Sequence, residues 1–174
     1  MIEKSTIQKV LAVFFDNPSR EFHLRELSRL LELSMPTIVS STDKLAKEKL
    51  IIKEKGDVLT KVMANREGEY PDFIKYKRLY NLELILNSGI IDYLSKAYSQ
   101  PKAIILFGSF SRGDDIEKSD VDIAVIASKR LNLDLSKYEK MLKRAVSVHE
   151  VNLDKISEEF KANLLNGIVL EGSW

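Results

Sequence analysis

The chain has 174 residues, 44% apolar and 30% charged, which excludes a disordered segment and suits one ordinary domain or two small ones. It has no cysteine, so neither a disulfide framework nor a thiolate zinc centre is available. A net charge of +1 excludes a uniformly basic nucleic-acid coat while leaving room for a local basic surface.

No apolar run approaches the roughly 18–20 residues of a bilayer span. The opening Met1-Ile2-Glu3-Lys4 lacks the charged-then-apolar layout of a signal peptide. The expectation is a cytoplasmic protein with no membrane partner. From Ser5 to Phe15, apolar residues at Ile7, Val10, Leu11, Phe14 and Phe15 form a helical stripe, which Asp16-Asn17-Pro18-Ser19 stops. A second helix is predicted over His23–Leu31. After the short turn Glu32-Leu33-Ser34, a third runs to about Lys49, with Ser34 as N-cap and Pro36 in its first turn. Ile38 and Leu45 face inward one heptad apart, while Thr37, Ser40, Ser41, Lys44 and Lys47 share another face. Two short strands, 50–54 and 58–64, are predicted around the turn signal Lys55-Gly56-Asp57.

Three helices with a tight turn between the second and third, then a basic hairpin, resemble a winged helix-turn-helix. The stretch "HLRELSRLLELSMPTIVSSTDKLAKEKLI" is similar to winged-helix regulators of bacteria and archaea. That resemblance implies double-stranded DNA as a partner. Thr37, Ser40, Ser41, Lys44 and Lys47 would enter the major groove, and Lys53, Lys55 and Lys61 of the wing would touch phosphates. Residues 1–68 carry 12 Lys/Arg against 10 Asp/Glu, weak electrostatics for a lone DNA-binding module. A homodimer would double that charge, and a packing or dimerisation module is the alternative reading.

Residues Arg66-Glu67-Gly68-Glu69-Tyr70-Pro71 are polar and broken by Gly and Pro, which places a boundary there. The predicted organisation is residues 1–66, a helical linker over 67–99, and an α/β core over 100–174. Helices are expected at about 71–86 and 90–99, a buried strand at Ala103–Phe107, and strands at Val121–Ile126 and Val146–Val151. A helix near 136–144 lies between these strands, and a last helix near 158–165 precedes the apolar end Ile168-Val169-Leu170. The fold class is therefore mixed α+β, with the helical N-terminal half followed by a short mixed sheet.

The chemistry is concentrated in "FGSFSRGDDIEKSDVDIAV", residues 107–125. Gly108 and Ser109 follow a buried strand, where a glycine permits a sharp turn and close approach to a ligand. A helix beginning at Ser109–Arg112 would offer N–H groups to an anion, with the Ser109 hydroxyl and Arg112 nearby. Asp120 and Asp122 are two apart on a strand and share a face, with Val121, Ile123 and Val125 opposite. Paired carboxylates beside a phosphate-binding turn suit two magnesium ions. Asp114, Asp115 and Glu117 read as a solvated loop lip. His23 and His149 read as ordinary surface or packing residues, and Tyr70, Tyr76, Tyr80 and Trp174 as packing residues.

Gly108-Ser109, ten residues, then Asp120-Val121-Asp122 resembles the signature of nucleotidyltransferases of the DNA polymerase β superfamily, the small prokaryotic "minimal" enzymes above all. The resemblance implies that Gly108, Ser109 and Arg112 bind the phosphates of a nucleotide, with Arg112 alternatively paired to Asp114 or Asp115. It implies that Asp120 and Asp122 bind Mg²⁺ and that a third carboxylate on a later strand completes the catalytic and metal-binding set. Glu150 is the first candidate for that acid and Asp154 the second, while His149 departs from the apolar residue expected beside it. The implied activity passes a nucleoside monophosphate from an NTP, ATP first, to a hydroxyl. A protein acceptor, as in toxin–antitoxin pairs, is the leading expectation. The competing one is a DNA-binding regulator whose transferase-like domain only senses nucleotide or mediates dimerisation.

Overall fold

A computed structural model describes residues 4–56, 59–67 and 71–173. Asp57 and Val58 of the expected hairpin, Gly68-Glu69-Tyr70 of the expected boundary, and Trp174 lie outside the described residues. The chain divides into two compact units, residues 1–80 and 81–174.

The first unit begins with α1 (Thr6–Asp16), started by a capping box in which the Ser5 hydroxyl accepts from Gln8 N–H and the Gln8 side chain accepts from Ser5 N–H. A two-residue strand β1 (Phe22–His23) leads into α2 (Leu24–Leu31). α3 (Met35–Lys47) is capped by Ser34, whose hydroxyl accepts from Thr37 N–H, with Pro36 in the first turn as expected. β2 (Ile51–Lys55) and β3 (Thr60–Ala64) pair antiparallel, and β1 adds to β3, giving the order β1-β3-β2. β1 was not expected, because two residues are too short to show a period-two pattern. Val10, Phe14, Phe22, Leu27, Ile38, Leu45 and Val62 form the core, with the Phe14 and Phe22 rings edge-to-face at 5.6 Å.

α4 (Asp72–Ser88) contains the division between the units. Beyond it come α5 (Ile90–Ala97), β4 (Ala103–Phe107), α6 (Gly108–Arg112), β5 (Val121–Ile126), α7 (Ser136–Leu142) and β6 (Val146–Val151). A 3-10 turn at Leu153–Lys155, α8 (Glu158–Leu165) and β7 (Ile168–Gly172) complete the chain. The four strands form a mixed sheet in the order β6-β5-β4-β7, with β5 and β6 parallel and the other pairs antiparallel. β4 is buried along its whole length, which explains its unbroken apolar sequence.

The period of two sorts the side chains onto two faces. Ile104, Leu106, Val121, Ile123, Val125 and Val146 pack with Ile85, Ile90, Leu94, Phe110 and Leu142. Ala103, Ile105, Phe107, Ala124, Ile126 and Val151 form the opposite layer with Leu164 of α8. Asp122 and Ser147 are register partners, as are Ala124 and His149, so these residues belong to the second face, near the end where β4 turns.

Candidate active site

The chain reverses at the end of β4. Phe107 is extended, and Gly108 takes φ +74°, a left-handed conformation that glycine adopts without strain. The five residues of α6 then end at Gly113, again left-handed at φ +82°. Ser111 Oγ donates to Gly108 O at 2.8 Å and Gly113 N–H donates to Ser109 O at 2.9 Å, closing the turn on itself. Such a short helix carries little macrodipole, so what the turn offers an anion is its N–H groups and the half-buried Ser109 hydroxyl.

Gly108 has a second constraint. Asp122 pairs in register with Phe107, which brings its carboxylate over the turn. A Cβ added to Gly108 would lie 2.6 Å from Asp122 Oδ2, closer than side chains tolerate. The glycine and the aspartate are thus complementary, since one leaves the space that the other fills.

His149 borders this carboxylate, while Asp120 and Arg112 make their contacts elsewhere. His149 Nε2 lies 3.3 Å from Asp122 Oδ1, and both side chains remain partly exposed, 41% and 29% respectively. The His149 ring stands edge-on to Phe107 at 5.2 Å and near Phe160 at 6.2 Å, which fixes its plane. Asp120, just before β5, is exposed and borders a cleft of about 560 Å³ shared with Lys118, Lys140 and Arg144. Arg112 is exposed, and its Nε donates to Asp114 Oδ2 at 3.1 Å, the alternative foreseen for it. A surface pair of this kind contributes about 0–1 kcal/mol.

The loop between α6 and β5 is held by a residue expected to be solvated. Asp115 is only 1% exposed, because Asn81 Nδ2 donates to its Oδ1 at 2.7 Å and to Phe110 O at 2.9 Å. Arg144 Nη2 lies 3.9 Å from the other carboxylate oxygen. A buried carboxylate needs such partners, and here they tie the loop to α4 and to the approach of β6.

Glu150 does not join Asp122. In the parallel register it partners Val125, so it lies on the opposite face of the sheet. There it accepts from Tyr98 Oη at 2.7 Å and from Leu131 N–H at 3.2 Å. Desolvation pushes the Glu150 carboxyl up. The Tyr98 and Leu131 hydrogen bonds, helped by Arg130, outweigh it and hold the group below the usual carboxylate range. Burial, followed by the bond to Glu150, pushes the Tyr98 phenol up. Glu150 is thereby a fastener for the residues around Leu131, and the expectation of a third acid at this position is corrected. Asp154, in the exposed 3-10 turn, offers its N–H to the Asn152 side chain. His149, expected to be an ordinary surface or packing residue, is the strand residue beside Asp122. Among the described residues, no three His, Asp or Glu side chains converge tightly enough to hold a metal ion by themselves.

In the first unit, Ser40, Lys44, Lys47 and Lys55 are exposed as expected. Two residues are not available in the expected way. Ser41 is 5% exposed, turned toward the helix packing. Lys53 Nζ donates to Asp43 Oδ1 at 2.6 Å and to Thr42 Oγ1 at 3.4 Å, which draws it back onto α3. Thr37 Oγ1 shares a 2.7 Å hydrogen bond with the capping Ser34 hydroxyl, and Lys61 pairs with Glu21.

The family described as "Polymerase beta, Nucleotidyltransferase" matches residues 88–172, a span that contains the Gly108 turn, both aspartates and the whole sheet. A protein of Methanocaldococcus jannaschii, named for an inferred protein adenylyltransferase activity, is 36% identical over 78 residues. The aligned stretch covers 41% of this chain and 78% of that relative. The chain belongs to the polymerase β nucleotidyltransferase family. It is a nucleotidyltransferase by that membership, and its sheet and turn provide the frame for one. No solved structure matches the chain significantly.

The fit between Gly108 and Asp122 has a measurable cost when broken. Gly89 has a similar φ, +76°, and a Cβ added there would meet nothing within 4 Å, so Gly89→Ala reports the backbone penalty alone, about 1–2 kcal/mol. Gly108→Ala adds the collision with Asp122, and its urea unfolding should show a further loss of about 0.5–1.5 kcal/mol as the carboxylate is pushed off its rotamer. Equal losses for the two variants would mean that the carboxylate swings aside freely.

Proposed function

We propose that the nucleotidyltransferase transfers a nucleoside monophosphate from an NTP, ATP in the first place, to a hydroxyl group, with release of pyrophosphate. The observation that carries this reading is the Asp122 carboxylate seated over the Gly108 turn, in a cradle that a Cβ would fill. The hydroxyl oxygen bonds to the α-phosphorus as the bond to the bridging α–β oxygen breaks; pyrophosphate leaves and the hydroxyl proton passes to water. The turn N–H groups and Ser109 bind the departing phosphates, and Arg112 exchanges Asp114 for them. No covalent intermediate on the enzyme is required, so the rate comes from in-line positioning and charge compensation.

The donor set fits a divalent cation, since Asp122 presents hard oxygens beside the turn and the exposed Asp120 precedes it by two residues, with substrate phosphates and water for the remaining ligands. When bound, such ions neutralise the triphosphate and make the attacking hydroxyl easier to deprotonate. ATP as donor and a protein side chain as acceptor are both supported by the name of the Methanocaldococcus relative. With α-labelled ATP and a divalent metal, label should pass to protein. Asp122→Asn should reduce that transfer by about 10²–10³-fold, the scale of losing a principal electrostatic contact. Transfer that survives Asp122→Asn intact would contradict this reading.

The first unit favours a second, compatible role. Its helix–strand–helix–helix–hairpin order and the exposed Ser40, Lys44, Lys47 and Lys55 support a winged helix that binds duplex DNA. Binding to random-sequence duplex, followed by anisotropy across salt, should give a log–log slope smaller in magnitude by about 2 for Lys44→Ala/Lys47→Ala, roughly one per lost phosphate contact. Wild-type protein that fails to bind duplex even at low salt would remove DNA from its partners.

A further inference from the structure

His149 borders the Asp122 carboxylate from a strand on which the all-oxygen scheme has no place for it. We infer that His149 supplies a nitrogen ligand to the divalent cation held by Asp122, so that this site takes Mn²⁺ in preference to Mg²⁺. The inference rests on the transferase reading of the same site and specifies its cofactor.

Distance and placement carry it. Two donors at neighbouring corners of an octahedron with metal bonds of about 2.1 Å are about 3 Å apart. His149 Nε2 and Asp122 Oδ1 are 3.3 Å apart, so one ion can engage both with little movement of either side chain. The ring is already oriented, edge-on to Phe107 at 5.2 Å and against Phe160, on residues of the same layer. The carboxylates that could take its place are elsewhere: Glu150 lies across the sheet, bonded to Tyr98 and Leu131, and Asp154 sits in an exposed turn. The parallel register that removes Glu150 is the same one that installs His149 on the Asp122 face.

Ligand chemistry then sets the metal. Mg²⁺ is a hard ion that takes oxygen ligands and surrenders its waters reluctantly. Imidazole suits borderline transition metals, while carboxylate and phosphate oxygens suit Mn²⁺ as well as Mg²⁺. Between the two octahedral ions that a triphosphate accepts, a mixed set of carboxylate, imidazole and phosphate therefore favours Mn²⁺ over Mg²⁺.

Direct ligation has a spectroscopic signature that a mere hydrogen bond between His149 and Asp122 lacks. Full-length protein would be loaded with Mn²⁺ and a non-hydrolysable ATP analogue, and its electron spin echo modulation recorded with and without ¹⁵N-histidine labelling. The expected result is a directly bound histidine nitrogen, sensitive to the label and absent from His149→Ala. In calorimetry of the same complexes, His149→Ala should weaken Mn²⁺ by about 10-fold or more and Mg²⁺ by less than about 3-fold. His149→Asp, which replaces the nitrogen by a hard oxygen, should strengthen Mg²⁺ binding relative to the wild type and narrow the gap between the two metals. Mn²⁺ bound without any histidine coupling would overturn the inference and leave the transferase reading standing. Failure of the wild type to bind Mn²⁺ with nucleotide would overturn both.

Discussion

A carboxylate needs space, and Asp122 takes its place over the turn where residue 108 has no side chain. β4 and β5 are antiparallel neighbours, so Phe107 and Asp122 stand side by side and the carboxylate overhangs the place where β4 must turn. Gly108 answers two demands at once, a positive φ and the absence of a Cβ within 2.6 Å of Asp122 Oδ2. The remaining architecture keeps these two residues together. The fully buried β4 fixes one and the central β5 fixes the other, each held by apolar layers on both faces of the sheet.

Polar groups that leave the solvent near this centre do so with partners, and the partners define the site's boundary. Asp115 and Asn81 anchor the loop that delivers Asp120. Tyr98 and Glu150 close the far side of the sheet around Leu131, where a carboxylate has a structural task. Ser109, Arg112, Asp120, Asp122 and His149 stay at least partly exposed.

Much of this was legible in the chain. The alternation of Val121, Ile123 and Val125 against Asp120 and Asp122 identified the strand and its polar edge, and Gly108-Ser109 after an apolar run marked the reversal at the end of β4. Ser34 and Pro36 marked the start of α3, where the structure has it. Glu150 was misplaced because alternation tells which residues share a face without telling which face that is. The clue was present even so: Val146 and Val148 are apolar and belong to the layer of Val121 and Ile123, so Glu150 follows them away from Asp122 while Ser147 and His149 go toward it. The burial of Asp115 had no such signal, because its partners Asn81 and Arg144 are distant in sequence and become neighbours only through the fold. The withdrawal of Lys53 onto Asp43 has the same origin, a contact between a strand and the preceding helix.

The central claim is that the Gly108 turn and Asp122 form one nucleotide site that works through a divalent cation. Calorimetric titration of ATP into the folded wild type and into Asp120→Asn/Asp122→Asn, each in Mn²⁺, in Mg²⁺ and in a chelator, tests it without knowledge of the acceptor. The account predicts binding by the wild type only when a metal is present, and none by the double variant under any of the three conditions. Metal-independent binding, or equal binding by the double variant, would contradict it.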